Sequence, residues 1–251
     1  MLFFRRIFDF EKAKVAEQLE HRLNRRYALG AAFPLQATLT VEGRDWPAEV
    51  QNVSGGGVGL LVGSDAAVTD GQTARVRLVL ADHLLEIDAR LAHRKPHEKG
   101  IYCGIGLNFG DSSVQKAYLQ LLQPIIIGQS LKPVPADRVI QNEPQFIKQV
   151  YRGESDSVLT VWLANTTGTP LHSFEFQMHD YFCRATLQFG VLEVYALETV
   201  DSPKAKMTNP IFDTTGGLEG EIRQLFRWIV PNLAQVVPDN IRVMLQGFAS
   251  K

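Results

Sequence analysis

Between Leu85 and Leu91 apolar and charged residues alternate without a break: Leu-Glu-Ile-Asp-Ala-Arg-Leu. Successive side chains on a strand point to opposite faces, so this run has one dry face and one wet face. Only a sheet packed on a core on one side and open to water on the other satisfies it, as antiparallel sheets commonly do. The same period recurs around it. Leu35, Ala37, Leu39 and Val41 alternate with polar neighbours, and Trp46, Ala48 and Val50 follow a turn at Glu42-Gly43-Arg44-Asp45. Val58 to Val62 reads as a short apolar strand, and Val76, Leu78 and Leu80 share a face after a turn at Asp70-Gly71. Lys95 to Gly100 reads as a polar loop, after which Ile101, Cys103, Ile105, Leu107 and Phe109 alternate, with Gly104 and Gly106 on the opposite side. Asp111 or Ser112 caps a helix over 113–122, which Pro124 ends. The expectation is six short strands with a trailing helix.

Composition limits the function classes. A chain of 251 residues has room for two modest domains. Its net charge of −1 provides no general field for a nucleic-acid polymer, so an anion site has to be local. Cys103 and Cys183 are too few for a disulfide framework and read as free thiols of a reducing, cytoplasmic setting. No apolar run approaches the roughly 18 residues needed to cross a bilayer. At the amino terminus Leu2, Phe3, Phe4, Ile7 and Phe8 return at helical spacing opposite Arg5 and Arg6, so residues 1–19 read as an amphipathic helix. Packing on its own domain or on a partner is favoured for that helix over contact with a membrane surface.

The local anion site is legible at two places. The arm Arg22-Leu23-Asn24-Arg25-Arg26 stands ahead of the first strand, and the turn Asn52-Val53-Ser54-Gly55-Gly56-Gly57 follows the second. A guanidinium is a planar fork that fits phosphate oxygens bidentately and equally fits the O6/N7 edge of guanine. Asn52 and Ser54 bond locally and shape a turn, while Gly55, Gly56 and Gly57 permit positive φ and close approach of a ligand. Arginines at this spacing more often form a solvated helix face, and a glycine triplet is more often a plain turn. The pairing of the two, one strand pair apart, points to a phosphorylated, guanine-bearing ligand.

At these residues the chain resembles the PilZ domain, the bacterial receptor module for cyclic di-GMP, whose signature is an RxxxR arm followed by [D/N]xSxxG. Arg22-x-x-x-Arg26 and Asn52-x-Ser54-x-x-Gly57 are the two halves, with Glu20 before the arm and Tyr27-Ala28-Leu29 after it. His21 departs from the pattern, since many relatives carry another arginine there, and this neighbour bears on whether one dinucleotide or a stacked pair is held. The resemblance spans about residues 20–125. It implies a six-stranded antiparallel β-barrel with a trailing helix. It implies cyclic di-GMP as the ligand of Arg22, Arg26, Asn52, Ser54 and Gly57, flanked by His21, Arg25, Gly55 and Gly56. It also implies a receptor in second-messenger signalling that reorients its other segments toward a partner. The alternative is an adaptor that docks a protein without needing the nucleotide.

Beyond the barrel, residues 126–144 are rich in polar residues and proline and read as a linker. Residues 145–251 read as a second, α+β domain, resembling no family, through which a protein partner is expected to act, if not through the amino-terminal helix. Its expected elements are strands over 158–164, 174–178 and within 186–197, a turn at Asn165-Thr166-Thr167-Gly168, a helix over 218–230 and a last strand over 241–245. His172, His179 and Cys183 fit no zinc spacing, so no metal is expected. Ser173 beside His179-Asp180 lacks a nucleophile elbow. Thr214-Thr215-Gly216-Gly217 before a helix offers backbone donors to an anion, though Gly-Gly is more often only a start signal. No cofactor and no catalytic residue is assigned, and the chain is not expected to be an enzyme.

Overall fold

Alternating burial builds the first part of the molecule. Its strands are β1 (Tyr27–Ala28), β2 (Leu35–Val41), β3 (Arg44–Ser54), β4 (Gly57–Val62), β5 (Thr73–Leu80), β6 (His83–His97) and β7 (Gly100–Asn108). The computed structural model describes residues 25–165, 171–198, 211–213 and 218–250, which leaves the expected amino-terminal helix outside the described residues. The chain forms two compact units that divide between Gln123 and Pro124.

In the first unit β3, β2, β5, β6, β7 and β4 pair in that order, and β4 returns to β3, so six antiparallel strands close into a barrel. Closure leaves no open edge to aggregate. Leu39, Leu60, Val76, Leu78, Ile87, Leu91 and Cys103 fill its interior, each almost wholly buried. A two-residue turn at Glu42-Gly43, both with positive φ, joins β2 to β3. β3 pairs with β2 only as far as Ala48, and the short β1 pairs further along at Asn52 and Val53.

Two expectations are corrected here. The polar stretch Lys95 to Gly100 is largely strand, because β7 supplies partners as far as Lys95↔Tyr102, Pro96↔Ile101 and His97↔Gly100. The trailing helix α1 (Ser112–Ser130) begins where expected, with the Asp111 carboxylate accepting from the Ser113 backbone N–H at 2.8 Å. It runs through Pro124 instead of stopping there. An interior proline costs about 3 kcal/mol. Ile125, Ile126 and Ile127, directly after it, are wholly buried, and each such side chain contributes roughly 1.5–3 kcal/mol. Burial outweighs that cost. The stretch expected to be a linker, 126–144, therefore begins as buried helix, and the units divide just before it.

The second unit is a seven-stranded antiparallel sheet in chain order: β8 (Lys132–Pro133), β9 (Phe146–Arg152), β10 (Val158–Ala164), β11 (Leu171–Met178), β12 (Tyr181–Thr186), β13 (Leu192–Glu198) and β14 (Ile211–Asp213). Helices α2 (Glu219–Ile229) and α3 (Asp239–Ala249) follow. Phe174 of β11 lies 5.8 Å from the Phe226 ring of α2 and 5.5 Å from the Phe248 ring of α3, so one sheet face is covered by helices. The strand expected over 241–245 is helix α3. Ile241, Leu245 and Phe248 are its buried residues, a spacing that lines one helical face. The end of α1 belongs to this unit: a Cβ on Gly128 would lie 2.7 Å from the Asn232 carbonyl, and the Ala234 N–H donates to the Gly128 carbonyl at 3.0 Å.

Replacing Ile126 with alanine is expected to lower the unfolding free energy by about 2–5 kcal/mol, the cost of a buried cavity of that size. Chemical denaturation measures it, and a loss under about 1 kcal/mol would contradict the packing described for α1.

Candidate functional site

Two pairs of residues bring Arg26 to the glycine turn. β1 runs antiparallel to β3 with Tyr27 opposite Val53 and Ala28 opposite Asn52. Tyr27 and Val53 are both buried, which anchors the short strand. Arg26, one residue ahead of β1, is thereby set beside Ser54. A cavity of about 300 Å³ opens there, and Arg26, Asn52, Ser54, Gly56 and Gly57 are among the residues that wall it.

The cavity exists because side chains are missing from its floor. On the β4–β7 pair Gly57 faces Gly106 and Gly59 faces Gly104, four glycines on one face of two neighbouring strands. Gly57, Gly59 and Gly104 are tightly covered, while Gly106 has room above it. A Cβ on Gly57 would meet the Ile105 carbonyl oxygen at 2.6 Å, and one on Gly59 would meet the Tyr102 hydroxyl at 2.5 Å and the Asn52 amide at 2.6 Å. A Cβ on Gly104 would run into the His93 imidazole. Asn52, Tyr102 and His93 thus lie flat across backbone, and only glycine permits it.

Two irregularities aim these side chains. The β3–β4 register shifts between Val50 and Asn52, and the β6–β7 register shifts between Leu91 and His93. Such bulges insert one residue, here Gln51 and Ala92, and redirect the next side chain. The Asn52 amide then donates to the Tyr102 hydroxyl at 3.1 Å. The His93 and Tyr102 rings sit 6.0 Å apart at 36°.

The turn itself is tied to α1. The Tyr118 hydroxyl donates to the Ser54 carbonyl at 2.8 Å and lies 3.2 Å from the Gly57 carbonyl. Burial pushes the Tyr118 phenol far above its ordinary range, so it stays protonated and remains a donor. The Ser54 hydroxyl donates to the Gly57 carbonyl at 3.3 Å, closing the turn from inside. Positive φ plays no part in this turn. Among the described residues the glycines that adopt it are Gly43, Gly71, Gly100 and Gly190, and Gly57 is needed for close approach instead.

Of the residues singled out in the sequence, Arg26, Asn52, Ser54, Gly56 and Gly57 meet at the cavity. Gly55 and Arg25 are not part of its wall, and the Arg25 guanidinium lies 5.1 Å over the Tyr27 ring. His21 and Arg22 lie outside the described residues, as do Thr214, Thr215, Gly216 and Gly217. Gly59, His93, Tyr102 and Tyr118 are additions of the structure. The period-two spacing of Gly57, Gly59, Gly104 and Gly106 could have revealed the floor, whereas nothing local marks His93 or Tyr102.

The remaining temptations are not assembled. Cys183 is wholly buried, and burial pushes its thiol well above the usual range. His172 stacks on Phe146 at 4.3 Å, and His179 lies against the Asp180 carboxylate at 3.1 Å. No group of three or more metal-capable side chains occurs among the described residues. No helix among them is long and apolar enough to cross a membrane.

Comparison with known proteins finds no curated protein that matches the chain. Among solved structures it is similar to the PilZ domain with c-di-GMP of YcgR from Escherichia coli, at 12% identity over 39% of this chain and 85% of that one, with a TM-score of 0.32. It is also similar to the Borreliella burgdorferi PlzA protein in complex with c-di-GMP, at 8% identity over 69% and 86% of the two chains, with a TM-score of 0.36. The family model of the PilZ domain matches residues 20–126, and this part of the chain is a PilZ domain.

Proposed function

We propose that the protein is a receptor for cyclic di-GMP, bound at the cavity between Arg26 and the Asn52–Gly57 turn. The observation that carries the reading is that cavity itself: an arginine, an amide, a hydroxyl and a four-glycine floor brought together within a PilZ domain. A guanidinium at its rim offers a bidentate grip on a phosphate or on the O6/N7 edge of guanine. His93 and Tyr102 offer faces for base stacking, which contributes roughly 1–3 kcal/mol per base. Asn52 and the glycine backbone complete the polar contacts.

The cavity, at about 300 Å³, stands at the low end of the ~300–1,000 Å³ typical of ligand pockets. It takes in part of a dinucleotide, and Arg22 is the second guanidinium this reading assigns to the ligand. In this reading signalling follows from binding, which fixes the pose of the segments that flank the barrel and so presents them to a protein partner. The size of the shift is limited by the ligand's preference for one pose over the other. The role is one of recognition, with no catalytic step.

Titration calorimetry of the folded chain with cyclic di-GMP tests the reading, with saturable binding expected in the micromolar range or tighter and no binding overturning it. Arg22→Ala and Arg26→Ala are each expected to weaken binding by roughly 1.5–3 kcal/mol, the range for hydrogen bonds to a charged group. Arg25→Ala is expected to change it little, because that guanidinium lies over Tyr27. Tyr118→Phe removes the donor that ties the turn to α1 and is expected to cost about 0.5–1.5 kcal/mol of stability together with a loss of affinity. Unchanged affinity in that variant would separate the turn from the site.

A further inference from the structure

The second sheet has one face covered by α2 and α3, and its other face carries a cavity of about 360 Å³. Bulky aromatic groups form its sides. The Phe146 and His172 rings stack at 4.3 Å, Trp162 stands on the neighbouring strand, and Phe189 projects from the β12–β13 connection. Phe189 is 74% exposed and the adjacent Val191 60% exposed, an uncommon state for apolar side chains beside a hollow.

The floor is polar, and its carboxylates outnumber its one guanidinium, Arg184. Glu175, Arg184 and Glu193 stand in one cross-strand row on β11, β12 and β13. Arg184 is already engaged, donating to the Glu193 carboxylate at 2.6 Å and to the Tyr195 hydroxyl at 3.1 Å. Lys148, the other nearby cation, lies 5.5 Å over the Trp162 ring. Glu143 contributes a third carboxylate to the wall. The Glu175 carboxylate, in contrast, makes no side-chain hydrogen bond and no ion pair within 4 Å among the described residues. Burial raises its carboxyl above the usual range in spite of the pull of Arg184 and Lys148. A half-buried carboxylate that accepts no hydrogen bond carries a desolvation cost that a bound cation would offset. Aromatic faces beside it attract the same charge through their quadrupoles, by about 0.5–2 kcal/mol each.

We propose that this cavity binds a small organic cation, an ammonium or guanidinium on an apolar body, with Glu175 as its counter-ion. The charged head sits at Glu175, within reach of the Ser173 and Thr186 hydroxyls, which face each other in the neighbouring row. The apolar body lies between Trp162 and Phe189. This site stands independently of nucleotide binding, since none of its residues walls the Arg26 cavity.

The test is calorimetric titration of the full chain with phenethylammonium, with N-acetylarginine amide, and with phenylacetate as an anion of similar size. Saturable binding of at least one cation, and none of phenylacetate, is expected. Binding of phenethylammonium assigns the head group to a free amine, and binding of N-acetylarginine amide alone assigns it to a peptide side chain. Glu175→Gln preserves shape and removes charge, and is expected to weaken cation binding roughly ten-fold or more while the melting temperature and cyclic di-GMP binding hold. Trp162→Leu is expected to weaken it as well. Binding of neither cation, equal binding of phenylacetate, or an unchanged affinity in Glu175→Gln would overturn the proposal.

Discussion

The candidate nucleotide site hangs on two residues of backbone pairing, Tyr27 with Val53 and Ala28 with Asn52. They set Arg26 beside Ser54. The pairing is short, and a two-residue strand has little stability of its own. It persists because Tyr27 and Val53 are buried together, so the hydrophobic effect fixes where a charged side chain ends up. Arg26 is exposed and adjacent to buried residues at once, which is what a reusable contact to an anion requires. A charge buried outright would carry a desolvation cost that the ligand had to overcome.

Around this pairing the barrel supplies rigidity and space by separate means. Rigidity comes from closure and from the Tyr118 hydroxyl, which holds the carbonyls of Ser54 and Gly57 from behind. Space comes from absence: four glycines that face one another across β4 and β7 leave a hollow where side chains would otherwise stand. Two bulges then turn Asn52 and His93 onto that floor. A sheet of uniform register would place these side chains elsewhere, so the irregularity is part of the site.

Much of this was legible in the sequence, and the remainder shows what short-range pattern lacks. Period-two alternation placed β2 and the later half of β5, because one face of each is buried and the other is more open to water. Arg26 and the turn, which meet at the cavity, stood out in the sequence because an arginine fork and an Asn-x-Ser turn carry chemistry at fixed spacing. His93 and Tyr102 did not, since only the β6–β7 bulge brings them to Asn52. Pro124 misled the helix boundary: its local cost is real, but the burial of Ile125, Ile126 and Ile127 is a tertiary effect that no window of sequence displays. Residues 241–245 were too few to tell a period of two from one of 3.6, and Phe248 supplied the missing helical contact. Likewise β9 has no clean alternation, because its burial is intermediate along most of its length.

The central claim is that the ligand lies on bare backbone between Arg26 and the Asn52–Gly57 turn. Amide resonances report it most directly, in a two-dimensional nitrogen–proton spectrum of the chain recorded with and without cyclic di-GMP. The account requires the amides of Gly57, Gly59, Gly104 and Gly106 to shift together with that of Arg26, in saturable fashion. Shifts clustered elsewhere, with those five amides unmoved at saturation, would contradict it.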